Sequence, residues 1–271
     1  MNSGMSQKNN RTNEQELGAI ILAAGKGTRM NSDLPKVLHP VADRPIVSWV
    51  IDACRAAGCN KIAVVVGFGA EDVKQAVAAD DVVFSVQDQQ LGTGHATLCA
   101  HEHFKDGEGD VLVLAGDGPL IRAETIERMI QQHRATDAAA TLATSVIPDP
   151  TTYGRIVRNS SGGFEAIVEE KNCTDEQKKI HEVYPSYACF DGQTLFRLLS
   201  ELRPDGVSGE YYVTTLPMRL NELGQHVELV DGVPPEDVLS INTPEHLAEV
   251  DAILRNRLSK QARTQTEEIT Q

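Results

Sequence analysis

From Leu22 to Lys36 the chain reads Leu-Ala-Ala-Gly-Lys-Gly-Thr-Arg-Met-Asn-Ser-Asp-Leu-Pro-Lys, which sets three cations beside a run of small residues. Leu22, Ala23, Ala24, Gly25 and Gly27 follow an apolar run, and the alanines and glycines strip away bulk where backbone must approach a ligand closely. Lys26, Arg29 and Lys36 fall within eleven residues of one another. Free backbone N–H groups flanked by cations suit a polyphosphate. A tight strand-to-loop turn with solvated charges would use similar residues, but Thr28-Arg29 and Pro35-Lys36 tilt the reading towards phosphate. The Gly-Lys-Ser/Thr ending of a Walker loop is missing, as is the third glycine of a dinucleotide fingerprint.

Two further constellations could share that ligand. Gln87-Asp-Gln-Gln-Leu-Gly-Thr-Gly-His-Ala96 lies at an expected strand end, where open α/β sheets bind ligands. The Gln87 amide offers a donor and an acceptor to a base edge, and Gly92 and Gly94 would let backbone approach base or ribose. A polar loop with Thr93 as helix N-cap is the plainer alternative. Ala115-Gly116-Asp117 places a carboxylate just past a buried strand, a position suited to Mg²⁺, which takes one or two protein oxygens plus substrate phosphates. A turn-forming Asp before Gly118-Pro119 remains open. Asn242, ahead of Thr243-Pro244, is either another oxygen ligand or a helix cap. His101 and His103, two apart on an expected helix, face different directions and suggest no metal site. His39 and His95 sit in expected loops, and no Ser or Cys nucleophile motif is visible.

These loops need a scaffold that delivers them to one edge. Leu17–Ala23 reads as a buried strand. A helix is expected from Pro45-Ile46 to Ala57, since Pro suits a first turn. Lys61–Val66, Val82–Val86 and Asp110–Ala115 read as strands; Ala70–Ala79, Gly94–Phe104 and Ala123–Ala135 read as helices. That alternation predicts an α/β fold around a doubly wound, mostly parallel sheet. After residue 138 the expected strands are Ala138–Val146, Gly154–Val157, Phe164–Glu169 and Glu182–Phe190, with Asn159-Ser-Ser-Gly-Gly163 as a hairpin loop. Helices return at Gly192–Leu202 and Tyr211–Leu223, and a last one starts at Thr243-Pro244. One domain over 17–258 is expected between polar, disordered tails at 1–16 and 259–271.

Composition excludes several classes. A chain of 271 residues, 41% hydrophobic and 24% charged, can bury a sizeable core. Its longest apolar stretches, such as Ile62–Val66 and Val111–Ala115, are too short to span a bilayer, and residues 1–16 lack the apolar core of a signal peptide. Five scattered cysteines without a Cys-x-x-Cys pair read as reduced thiols of a cytoplasmic protein. A net charge of −14 argues against a nucleic-acid groove. An anionic substrate must then be drawn in by a local cationic cluster.

The segment Leu-Ala-Ala-Gly-x-Gly-Thr-Arg-Met followed by Leu-Pro-Lys resembles the signature of the sugar-nucleotide pyrophosphorylases. Within them it is most similar to the uridylyltransferase domain of the bacterial N-acetylglucosamine-1-phosphate uridylyltransferases. The resemblance covers about residues 17–250. It implies a Rossmann-like mixed sheet of the nucleotidyltransferase, glycosyltransferase-A-like kind, with a nucleotide lobe over 17–137 and a sugar lobe over 138–258. By that resemblance, Leu22, Ala23, Ala24, Gly25, Gly27, Ala115 and Gly116 border the nucleotide. Gln87, Gly92 and Thr93 would hold uracil, because Leu91-Gly-Thr-Gly-His-Ala96 matches the uridylyl signature. Asp117 and Asn242 would hold Mg²⁺, Arg29 the leaving pyrophosphate, and Lys36 the α-phosphate.

On the sugar side, Tyr153-Gly154-Arg-Ile, Ile167-Val-Glu169-Glu-Lys171 and Gly209-Glu-Tyr-Tyr212-Val-Thr214 resemble family motifs. They imply sugar contacts from Gly154 and Glu169, with Tyr212 and Thr214 near the sugar phosphate. Two departures stand out: Thr215 replaces the usual Asp, and Tyr184-Pro185-Ser186 replaces a segment whose Asn contacts the sugar. Tyr184 is therefore the expected sugar-contacting residue there.

The implied reaction joins UTP and N-acetylglucosamine 1-phosphate to give UDP-N-acetylglucosamine and pyrophosphate. Alternatives are the same transfer to another sugar 1-phosphate, of the glucose or galactosamine type, or a non-catalytic UDP-sugar-binding protein. No hexapeptide repeat follows Leu258, so neither the acetyl transfer nor the trimer of full-length relatives is expected here. The oligomeric state is left open.

Overall fold

The apolar run after Glu16 forms β1 (Leu17–Ala23) of a computed structural model that describes residues 16–104, 107 and 109–269. A cationic loop follows, then a small ribbon of β2 (Pro40–Val41) and β3 (Arg44–Pro45), and α1 (Ile46–Ala56). β4 (Lys61–Val66), α2 (Ala70–Val77), β5 (Val82–Val86), α3 (Thr93–Cys99), β6 (Asp110–Ala115) and α4 (Ala123–Ala135) complete the first half. The second half opens with β7 (Ala140–Ala143), β8 (Ser145–Val146), β9 (Gly154–Arg158), β10 (Phe164–Val168) and β11 (Glu182–Tyr184). It ends with β12 (Tyr187–Asp191), α5 (Gly192–Glu201), α6 (Thr215–Glu222), β13 (Val227–Val230) and α7 (Pro244–Ile269).

Seven strands form the main sheet in the order β13-β7-β12-β6-β1-β4-β5. All neighbours run parallel except β12, which is antiparallel to both β6 and β7. This is the mixed, mostly parallel α/β sheet that the alternation predicted. Its central strands are largely apolar because both faces are covered. Ala19, Ile21 and Ala23 of β1 join Val47, Ile51, Val73, Ile126 and Met129 on one face. Ile20 joins Ala96, Leu195, Leu199, Leu216 and Leu220 on the other. The chain moves from β1 outward to β4 and β5, then returns to place β6 on the opposite side of β1. The carboxyl ends of β1 and β6 thus flank a topological switch, where open sheets bind ligands.

The structure corrects several expected boundaries. The stretches 138–146 and 182–190 are not single strands. The first breaks at Thr144 and the second at Pro185-Ser186, where Ser186 adopts φ +65°. Each break passes the chain between the main sheet and a second, four-stranded sheet, β10-β9-β11-β8. So the expected sugar lobe sits only partly on the main sheet. The helix expected over 94–104 ends at Cys99, and a short 3₁₀ turn follows at His101–His103. The helix expected from Tyr211 begins only at Thr215.

The final helix runs to Ile269, so residues 259–269 of the tail expected to be disordered are helical. Glu16 of the other expected tail accepts a backbone hydrogen bond from Asp110, at 2.9 Å. Residues 1–15 of that tail lie outside the described residues.

A third, smaller core joins Met30, Val41, Ile46, Leu120, Ile241, Val250 and Leu254. It fastens α7 to the loop after β1 and so brings Asn242 towards Arg29.

Candidate active site

The site begins where β1 ends. Gly27 takes φ +65°, and a Cβ there would lie 2.6 Å from Lys36 Cβ, so only glycine lets the two arms of the loop close. A tight turn over Thr28–Met30 buries Met30 and leaves Arg29 exposed. Pro35 precedes a second turn, Lys36–Leu38. β1 and β6 pair in parallel with Leu22 opposite Ala115, and the Gly116 amide donates to Leu22 O at 3.0 Å. Asp117 therefore emerges beside the cationic loop. The Ile241 amide donates to Asp117 O at 2.9 Å and brings Asn242 alongside.

Four residues from three remote segments meet as a result. Lys36 Nζ lies 2.5 Å from Asp117 Oδ2 and 3.2 Å from Asn242 Oδ1. Arg29 donates to the same Asn242 oxygen at 3.0 Å. The side chains of Lys36 and Asp117 are 15% and 18% exposed, so this pair is shielded yet reachable. Asp117 and Asn242 thus turn two hard oxygen donors towards one cation position, a donor set that fits Mg²⁺. Lys26 stands apart, its ammonium 5.3 Å from the centre of the Phe68 ring.

The base-side loop leaves β5 at Gln87, whose amide donates to Val66 O at 2.8 Å. Gln87 is 4% exposed. Its side-chain nitrogen lies 3.0 Å from Gly92 O and 3.0 Å from His95 Nδ1, so the amide is held in one orientation. Gln90, given no role from the sequence, donates to Ala24 O at 2.8 Å and ties this loop to the cationic loop after β1.

Gly92 and Gly94 are also points of close approach within the protein itself. A Cβ on Gly92 would lie 2.6 Å from Tyr211 O, and one on Gly94 would lie 3.1 Å from the same atom. The Tyr211 backbone thus crowds both glycines, and Leu202 Cδ2 would lie nearer still to a Cβ on Gly94, at 2.4 Å. Gly92 also holds φ 103° and ψ 177°, a region populated almost only by glycine.

The second sheet supplies the opposite wall. Gly154 opens β9 and pairs with Tyr184 of β11; a Cβ there would meet Ile167 at 2.9 Å. Glu169 follows β10 and accepts from Thr214 Oγ1 at 3.4 Å. Arg155, 1% exposed, donates to Tyr153 O and to Glu170, which fixes the turns on either side of Gly154. Tyr212 donates to Ser208 Oγ at 3.0 Å. Lys171 reaches the Tyr212 hydroxyl at 3.5 Å and lines the same cavity as Arg29 and Lys36, a cation to which the sequence assigned no role. Burial, with Glu169's charge added, pushes the Tyr184 phenol above the usual tyrosine range.

These walls enclose a cavity of about 800 Å³. Every residue singled out above as catalytic, nucleotide-, sugar- or metal-binding lines it except Gly27 and Gly116. Those two shape the backbone from behind. His101 and His103 do other work: His101 stacks on Phe196 at 4.4 Å between ring centres, and His103 Nε2 lies 3.2 Å from Phe84 O.

The family described as MobA-like NTP transferase domain matches residues 19–180, which hold the phosphate loop, the base-side loop, Asp117, Gly154 and Glu169. The chain is 42% identical over 241 residues to the "Bifunctional protein GlmU" of Clostridium botulinum (strain Loch Maree / Type A3), covering 89% of this chain and 52% of that protein. Proteins of the same name from Oceanobacillus iheyensis and Alkaliphilus oremlandii are 43% and 44% identical, over 90% of this chain and 53% of each. The chain therefore spans about half the length of these relatives, which match 52–53% of theirs. Together, the family match and the nucleotide-sized cavity at the switch of a mostly parallel sheet place this chain in the MobA-like NTP transferase family, as a nucleotidyltransferase.

Proposed function

We propose that the protein is a Mg²⁺-dependent uridylyltransferase that makes UDP-N-acetylglucosamine and pyrophosphate from UTP and N-acetylglucosamine 1-phosphate. The observation that carries this reading is the convergence of Arg29, Lys36, Asp117 and Asn242 at one end of a cavity whose other walls suit a base and a sugar. The uridylyl-type Leu91-Gly-Thr-Gly-His-Ala96 loop and the Glu169–Thr214 wall support the choice of substrates.

The sugar phosphate oxygen would attack the α-phosphorus of UTP in line, and pyrophosphate would leave. The incoming phosphate is already anionic, so no general base is required. What the protein must supply is alignment of two anions and relief of their repulsion. Arg29 would hold the leaving pyrophosphate and Lys36 the α-phosphate. Gln87, its amide fixed by Gly92 and His95, would read the uracil edge, while Glu169 and the Gly154 backbone receive sugar hydroxyls. Mg²⁺ held by Asp117 and Asn242 would neutralise phosphate charge.

Cys54, Cys59, Cys99, Cys173 and Cys189 are free thiols, which suits a cytoplasmic setting. No described helix is long and apolar enough to cross a membrane.

Pyrophosphate release should be measured with UTP, Mg²⁺ and a panel of sugar 1-phosphates. Release with N-acetylglucosamine 1-phosphate, abolished by EDTA and restored by Mg²⁺, is the expected result. Release only with a different sugar would move the assignment to that sugar, and none with any would remove the enzymatic reading.

A further inference from the structure

The base-side loop of residues 87–96 and the 211–214 segment lie far apart in the chain, with Thr93 and Val213 120 residues from each other, yet they are laced together by three hydrogen bonds. Tyr211 N donates to Leu91 O at 2.8 Å, Gly94 N to Tyr211 O at 2.7 Å, and Val213 N to Thr93 Oγ1 at 3.1 Å. Two of these are backbone to backbone and hold the crossing beside Gly92 and Gly94. The third uses a side chain, and it is the last tie before the segment turns into α6. The Thr93 carbonyl is itself held, accepting from Thr97 Oγ1 at 2.8 Å. One residue beyond the tie, Thr214 donates to Glu169 at 3.4 Å. Thr215 Oγ1 donates back to Tyr212 O at 2.8 Å, which closes the turn.

Resting on the functional reading above, we infer that Thr93 is a positioning residue for the second substrate. Its hydroxyl holds the Val213 amide, and through it sets Thr214 and Glu169 against the sugar 1-phosphate. Its side chain does not read the base. The arrangement makes the base-side loop the template on which the sugar-side wall is built.

The test compares Thr93→Val, which keeps the branched shape and removes the hydroxyl, with Thr93→Ser, which keeps the hydroxyl. Three quantities are read: KM for N-acetylglucosamine 1-phosphate at saturating UTP, KM for UTP, and hydrogen exchange of the Val213 amide. Loss of one such hydrogen bond should raise the sugar-phosphate KM of Thr93→Val about five- to tenfold. The UTP KM should stay within about twofold, Val213 should exchange faster, and Thr93→Ser should return the sugar-phosphate KM and the Val213 exchange to wild-type values. A UTP KM raised as much as the sugar-phosphate KM would put the hydroxyl in the base site and overturn the inference. Unchanged KM values would overturn it too. Wild-type protein that releases no pyrophosphate with any sugar phosphate overturns the functional reading instead. The exchange measurement needs no turnover, so it still decides the tie: unchanged Val213 exchange in Thr93→Val overturns it, and faster exchange sustains it.

Discussion

Lys36→Met should move two observables in opposite directions. The substitution keeps a flexible stem of similar length but removes an ammonium that contacts Asp117 at 2.5 Å and Asn242 at 3.2 Å. Both charged side chains are mostly shielded, at 15% and 18% exposure, so their interaction is not a solvent-screened surface pair. A hydrogen bond to a charged group contributes about 1.5–3 kcal/mol. Removing Lys36 therefore frees the Asp117 and Asn242 oxygens from a competitor of roughly that strength. Divalent-cation binding to the nucleotide-free protein should tighten about tenfold or more, since about 1.4 kcal/mol is a factor of ten. Turnover should fall about 10²- to 10³-fold, the usual effect of losing one electrostatic donor to a transition state. Calorimetric titration with Mg²⁺, beside pyrophosphate-release kinetics, reads both on the same preparation. Weaker metal binding in the variant would show that Lys36 organises the oxygen pair. Turnover within about tenfold of wild type would remove Lys36 from the phosphate site.

The sugar wall and the acid limit of stability give two more expectations. Tyr184→Asn should change the ranking of sugar 1-phosphates in the pyrophosphate assay and leave the UTP KM nearly unchanged; an altered UTP KM with unaltered sugar ranking would place residue 184 elsewhere. Asp110 is buried at the start of β6, where desolvation pushes its carboxyl up, but His133 and Arg134 together outweigh that and hold it below its ordinary value. A depressed folded value means this stabilisation is present above the unfolded value and lost as pH falls through the folded one, hence below about pH 4. Asp110→Asn should be less stable than wild type at pH 7 and lose less stability between pH 5 and 3 in denaturant titrations; parallel curves would refute the coupling.

The parts of the site written in local chemistry were legible in the chain. Gly25, Gly27, Arg29 and Pro35-Lys36 mark a close-turning cationic loop by composition and spacing, and the strand-then-Gly-Asp pattern sets Asp117 just past a buried strand, where the structure has it. Parts that depend on remote backbone were not. Gly92 and Gly94 were recognisable as points of close approach, but nothing near them says that Tyr211, far along the chain, is what approaches. For the same reason Thr93 could be read as a helix cap or a base contact and not as the partner of Val213. The early part of 211–223 carries helical-looking spacing, yet Tyr211, Val213 and Thr214 spend their backbone and hydroxyl bonds on Leu91, Thr93 and Glu169. Tertiary partners thus delay the helix to Thr215. The break at Pro185-Ser186 was hidden by the apolar and aromatic residues on both sides, Val183 and Tyr184 before it and Tyr187 and Phe190 after it, whose strands belong to different sheets.

The small core that joins Met30 to Val250 and Leu254 also imposes an order on synthesis. Arg29 and Asn242 are 213 residues apart, and Lys36 and Asn242 are 206 apart. As the chain leaves the ribosome, the phosphate loop and Asp117 emerge long before the helix that closes over them. The central strands can pair and bury their faces first, because β1, β4, β5 and β6 are all contained in the early half of the chain. The cationic loop then exists with one carboxylate for company and no Asn242 opposite it. Completion of the four-residue cluster waits for α7 to dock, which makes the last helix the event that turns a folded sheet into a finished site.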